Sequence, residues 1–202
     1  MSATHASPYL TCSGTRFTEC SVLCKEKLLY TVLDGSRGGE RVCVKFCRHA
    51  YGSDVHAAWA VAGHAPALHE VVLLPGGLTL VVMELLPRTQ NWSMLSDHMP
   101  PEAWAAARAA LQVVHAAKLP GAGGHGVHGD CRPNNVLLRQ RPSSGGYDVR
   151  FVDFDGAGVE GVRTYPPFMN PSVEWPAGAV AGEPLRQEHD TALLDSRGGR
   201  SL

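Results

Sequence analysis

The stretch His128-Gly129-Asp130-Cys131-Arg132-Pro133-Asn134-Asn135 constrains this chain more than any other. It sets a carboxylate, then an amide five residues later, and closes on the apolar run Val136-Leu137-Leu138. A short loop ending in a buried strand can fix both side chains toward one cavity. A second acidic motif follows. Val149 to Gly156 reads V-R-F-V-D-F-D-G, an apolar strand running into Asp153-Phe154-Asp155. Between the two lies Arg141-Pro142-Ser143-Ser144-Gly145-Gly146, a turn by composition. The spacing therefore predicts two strands joined by that turn, with Asn135 and Asp153 at their outer ends.

Composition narrows the class. A length of 202 residues suits one domain or two small lobes sharing a cleft, and 44% hydrophobic residues suffice for a core. With 18 basic and 19 acidic residues and no basic block, nucleic acid is not an expected partner. No apolar run approaches the roughly 20 residues of a spanning helix, so no membrane partner is expected. Met1 to Pro8 lacks the basic-then-apolar order of a signal peptide, which predicts an intracellular, cytoplasmic protein. Cys20/Cys24 and Cys43/Cys47 share a four-residue spacing. No second pair follows at a familiar zinc-site spacing, so all six cysteines, Cys12 and Cys131 included, are read as reduced thiols.

The first half reads as strands: Phe17 to Leu23, Leu28 to Leu33, and Arg41 to Phe46, with turns at Cys24-Lys25-Glu26-Lys27 and Asp34 to Gly39. Tyr51 to Ala62 is expected as a short helix. Gly76-Gly77 then turns the chain into a long buried strand, Leu78 to Leu86. The second half is more helical. Pro101 suits a first helical position, and Trp104, Ala107, Leu111 and Val114 form one stripe of a helix through about Lys118. His115 and His125 lack partners at ligand spacing and are read as structural. After Asp155 the prolines predict loops, then a short helix from Pro184 through Leu194.

This order resembles the protein-kinase-like fold, and more narrowly the fungal-type protein-kinase domain. The likeness is carried by Val42-Cys43-Val44-Lys45-Phe46, the Y-G-x-x-V-H helix start, and Ala65-Pro66. It continues through Val82-Met83-Glu84, H-G-D-x-R-P-N-N, V-D-F-D, and late Tyr165-Pro166-Pro167, Trp175-Pro176 and His189-Asp190. It spans most of residues 15–195. Protein kinases carry H-R-D-x-x-x-x-N, D-F-G and V-A-I-K at the corresponding places. The H-G-D form is shared with aminoglycoside and choline phosphotransferases.

The resemblance implies an α+β, two-lobed fold, with a β-rich N-lobe over 15–86 and a shortened, mainly helical C-lobe over 87–195. Residues 1–14 are then an N-terminal extension and 196–202 a tail. It implies ATP and magnesium as cofactors and a protein or small-molecule hydroxyl as acceptor. Asp130 takes the place of the catalytic base, Arg132 that of the cation touching the transferred phosphoryl, and His128 that of the loop's prop. Lys45 takes the phosphate-pairing position. Met83, Glu84 and Leu86 take the positions around adenine. Asn135 and Asp153 take those of the magnesium ligands.

The pattern departs from kinases at three points. No G-x-G-x-x-G precedes Lys45; Cys24-Lys25-Glu26-Lys27 stands there, with Lys25 or Lys27 to supply charge. The helix after Lys45 contains no glutamate, leaving Asp54 and His56 as stand-ins. No A-P-E motif follows, and the late helices are expected to be minimal. Three functions stay open: a protein Ser/Thr kinase, a small-molecule hydroxyl kinase, and a nucleotide-binding pseudokinase.

Overall fold

β-Branched and aromatic residues alternating with polar ones build the first half of the chain into a sheet. The computed structural model describes residues 16–48, 50–121, 123–143 and 145–196. The expected extension 1–14 and the tail beyond Ser196 lie outside the described residues, as does Cys12. The chain divides into two compact units: residues up to Ala50 with Ala67–Leu85, and Tyr51–Pro66 with the remainder from Leu86.

In the first unit, β1 (Phe17–Cys24), β2 (Leu29–Asp34), β3 (Glu40–Cys47), β4 (Leu68–Leu73) and β5 (Thr79–Glu84) form one antiparallel sheet in the order β1-β2-β3-β5-β4. Period-2 alternation sends Val42, Val44 and Phe46 to one face, where they pack with Val32, Leu80 and Val82. Cys43, Lys45 and Cys47 consequently share the other face. A buried carboxylate ties the sheet's start to its second turn. Asp34 is fully buried and accepts from Arg16 Nε (3.0 Å) and Nη2 (2.9 Å) and from the Ser36 N–H (3.0 Å) and Oγ–H (2.7 Å). Arg16 also reaches Glu70 on β4.

The second unit opens with helix α1 (Ser53–Val61). The sequence reading placed this helix in the first lobe, at 15–86. Val55 and Trp59 instead join the second unit's core. Next come β6 (Ser93–Met94), α2 (Pro101–Ala116), β7 (Gly126–Val127), β8 (Val136–Gln140), β9 (Tyr147–Phe151), β10 (Gly158–Val159) and α3 (Gln187–Asp195). The stripe Trp104, Ala107, Leu111 and Val114 of α2 is buried against Leu138, Val149 and Phe151. β8 and β9 pair through Leu138↔Val149, with the turn-rich linker between them. Two-residue strands β6, β7 and β10 carry no periodic signal and are absent from the sequence reading. None of the described helices is long and apolar enough to cross a membrane.

Candidate active site

Five of the nine site residues named from sequence lie together in the second unit, in and beside the loop 128–135. Gly129 makes the loop possible. It has φ +77°, and a Cβ there would lie 2.8 Å from the Gly156 carbonyl oxygen. No side chain fits, so the histidine and the aspartate flank a residue that is glycine for steric reasons.

His128 is fully buried. Its Nδ1 accepts from the Asp130 N–H at 3.3 Å, and its Nε2 donates to the Val152 carbonyl at 3.0 Å. These partners fix the Nε2–H tautomer. One imidazole thus ties the backbone of Asp130 to the residue preceding Asp153.

Asn135 makes a second tie. It is fully buried, and its Nδ2 donates to the Asp130 carbonyl (2.9 Å) and to Asp130 Oδ2 (3.0 Å). Its own carbonyl accepts from the Val152 N–H at 2.9 Å. The amide nitrogen faces Asp130, so the amide oxygen is the atom turned elsewhere. Asp153 follows directly, in the left-handed region with φ 75° and ψ 59°. An aspartate adopts that conformation at some cost, and such outliers gather at functional sites.

Arg132 engages Asp130 side-on, with Nε–Oδ1 at 2.5 Å and Nη2–Oδ2 at 2.8 Å. The hydrogen bond to Asp130 and the negative charges of Asp130 and Asp153 push the guanidinium's affinity for its proton further up. Arg132 is therefore a fixed positive charge serving two acids. Cys131, between them in sequence, is fully buried; burial and the charges of Asp190 and Asp130 push its thiol well up, so it does not serve as a nucleophile.

A buried acid that the sequence reading left out of the site holds the loop from behind. Asp190 on α3 accepts from the backbone N–H of His128 (2.6 Å) and of Gly129 (2.9 Å), and from His115 Nε2 (3.2 Å). Its signal was present in the helix pattern: His189, Asp190, Leu193 and Leu194 are one buried face, and a carboxylate on such a face needs donors. His115 thereby has a structural role, as expected, while the His125 Nδ1 bonds the His115 carbonyl at 2.9 Å.

Phe154 is fully buried and links the Asp153 turn to α1. It stacks on His56 at 4.5 Å and meets Trp59 edge-on at 5.6 Å. The Gly52 N–H donates to the Phe154 carbonyl at 3.0 Å, and a Cβ on Gly52 would come within 2.6 Å of Ala157 Cβ. His56 is not available as a stand-in for the missing helix glutamate. Its Nδ1 takes the Tyr51 hydroxyl at 2.7 Å and its Nε2 donates to the Pro66 carbonyl at 2.8 Å. Asp54 is exposed in the first helical turn.

The residues that the resemblance expects around a nucleotide are distributed differently. Lys45 is buried on β3, in register with Val81 and Leu29. Met83 lies opposite Cys43, on the same sheet face as Lys45. Burial pushes the Cys43 thiol up to about 12, which keeps it protonated. The Glu84 N–H donates to the Ala67 carbonyl at 2.9 Å, and its carboxylate accepts from the Ala67 N–H at 3.0 Å. Glu84 therefore offers no N–H to a ligand. Leu86 begins the longer segment of the second unit and is half-buried.

Among the described residues, no group of three or more His, Cys, Asp or Glu forms a metal site. Asn135 and Asp153 instead provide hard oxygen donors of two kinds. That set suits magnesium, which is commonly held by one or two protein oxygens together with substrate phosphates.

Among the solved structures that share this architecture are two kinases. The kinase PK-1 of Cydia pomonella granulovirus superposes with a TM-score of 0.56 and 18% identity, over 82% of this chain and 60% of that one. Vaccinia related kinase 3 superposes with a TM-score of 0.54 and 15% identity, over 88% of this chain and 61% of that one. The fold is protein-kinase-like. It is α+β, with the five-stranded antiparallel sheet in the first unit and the three helices in the second. The chain spans about three-fifths of the length of these two kinases. No protein-family profile matches the chain, and no curated protein matches it.

Proposed function

We propose that this chain is an ATP- and magnesium-dependent phosphotransferase, a divergent protein Ser/Thr kinase of the fungal-type domain family acting in the cytoplasm. The reading rests on one arrangement. Asn135 holds the Asp130 carboxylate with its side chain and the strand end before Asp153 with its backbone. One buried residue thereby sets the spacing of a proton acceptor and an acid suited to a cation.

In the proposed reaction, Asp130 accepts the proton of an acceptor hydroxyl as its oxygen bonds to the terminal phosphorus. The bond from that phosphorus to the bridging oxygen breaks, and ADP leaves with the electron pair. Arg132 presents a forked cation to the oxygens of the transferred group, and Lys45 pairs the inner phosphates. Asn135 and Asp153 would hold magnesium, which neutralises phosphate charge and aligns the chain of phosphates. His128, Gly129 and Asp190 keep the loop in register. Met83, the Glu84 carbonyl and Leu86 would line the adenine.

A second reading, nucleotide binding without turnover, is favoured by the bidentate hold of Arg132 on the proposed base. ATP labelled on its γ-phosphate, incubated with magnesium, a protein mixture and a panel of amino-alcohols and sugars, separates the readings. Label on protein supports the kinase, and label on a small molecule redirects it to the aminoglycoside- and choline-type reaction. Binding with no transfer supports the second reading.

A further inference from the structure

The ion pair at the base bears on how the proposed site is switched on, and the inference rests on the phosphotransferase reading. The Asp130 carboxylate receives three donors: Arg132 Nε at 2.5 Å, Arg132 Nη2 at 2.8 Å and Asn135 Nδ2 at 3.0 Å. A carboxylate offers about four lone-pair directions. An acceptor hydroxyl needs one of them at hydrogen-bond distance, and three are already taken, two of them by Arg132. The Arg132 side chain is a quarter exposed, so it is not locked in by packing on every side.

Arg132's backbone stays put. Its N–H donates to the Asp130 carbonyl at 2.9 Å, and its carbonyl accepts from the Asn135 N–H at 2.8 Å, just before the turn that Pro133 begins. Any motion is thus confined to the side chain. Deprotonation cannot release the hold, because a guanidinium keeps its charge. A competing anion can. A terminal phosphoryl offers the same forked geometry with more charge, and a cation held by Asp153 would remove the second acid that retains the arginine.

We propose that Arg132 is a latch on Asp130 that responds to the terminal phosphoryl. Without a triphosphate it holds the carboxylate. A metal-bound triphosphate draws the guanidinium off and exposes the base. Nucleotide therefore precedes acceptor, and a diphosphate leaves the latch closed. The closed pair that favours the second reading then belongs to the nucleotide-free state of an active enzyme.

The test observes the arginine directly. The full chain is labelled with 15N-arginine, and the Arg132 Nε–H resonance is assigned through bonds from its backbone. Magnesium with ADP, or magnesium with an imido-bridged ATP analogue, is then added, and binding of each is followed by thermal shift. The expected result is a resonance that stays in place with ADP and moves with the triphosphate. In the nucleotide-free Asp130→Asn chain the resonance should already have left the position it holds in the unaltered chain. The latch is overturned if both nucleotides bind and the resonance ignores the triphosphate, or if ADP alone moves it. If neither nucleotide binds, the latch falls together with the phosphotransferase reading. The two-nucleotide comparison is made on the unaltered chain, so it stands even if the variant does not fold.

Discussion

Gly129→Ala isolates the steric origin of the loop. At φ +77° an L side chain costs on the order of 1–2 kcal/mol. The added methyl would also sit 2.8 Å from the Gly156 oxygen, 3.2 Å from its carbonyl carbon and 3.4 Å from Leu185 Cδ1. The first two are backbone atoms of the segment following Asp153, so relief requires pushing two chain segments apart. Overpacking of that kind costs about 1–3 kcal/mol. The sum is ~2–5 kcal/mol, partly offset by roughly 0.4–1 kcal/mol from a stiffer unfolded chain. Gly182→Ala is the control. It lies in the same unit at φ +84° with nothing within 4 Å, so it carries the conformational cost alone. Urea denaturation of both variants should place Gly129→Ala ~1–3 kcal/mol below Gly182→Ala. Equal stabilities would refute the close approach of the loop to Gly156.

Three other outcomes follow from the same geometry. Asp190→Asn leaves one acceptor oxygen and an amide facing two backbone N–H groups; a loss of about 2–4 kcal/mol in urea midpoint experiments is expected, whereas a loss under 0.5 would remove Asp190 from its supporting role. Arg16 and Ser36 hold the Asp34 carboxyl down at about 2. The native state therefore binds fewer protons than the unfolded chain between that value and the ordinary carboxylate range. The stabilisation is present above about pH 4 and is lost as pH falls through about 2. Its size is on the order of 1–2 kcal/mol after allowing for the part-exposed arginine. Asp34→Asn should flatten acid unfolding curves over that window, and an unchanged curve would contradict the assignment. Asp130→Asn should lower phosphoryl transfer by ~10²–10⁴-fold while Mg–ATP still raises the melting temperature; full transfer activity would assign the base elsewhere.

The parts of the site that the sequence displayed are those encoded within a few residues. The five-residue step from Asp130 to Asn135 and the turn between β8 and β9 are local, and both appear where the spacing put them. Partners brought in from a distance are not legible from the loop itself, even where, as for Asp190, their own helix marks them as buried. Asp190 bonds backbone groups 62 and 61 positions away, and nothing near His128 announces it. His56 looked like a substitute for a glutamate because only its side-chain type was visible; the Tyr51 hydroxyl and the Pro66 carbonyl decide otherwise. α1 reads as part of the first lobe by chain order, whereas Trp59, buried against Phe151 and Phe154, commits it to the second unit. Arg132 was identified by position, but its hold on Asp130 is a matter of rotamer, which one-dimensional spacing does not encode.

Calorimetric titration of ATP into the chain, with magnesium and then with magnesium chelated, reaches the centre of the account. Binding that needs magnesium and weakens at least about tenfold in Asp153→Ala is the predicted result, a change of roughly 1.4 kcal/mol. Binding of equal strength in both chains, or no heat of binding in either, would contradict the role given to Asp153 and with it the phosphotransferase reading.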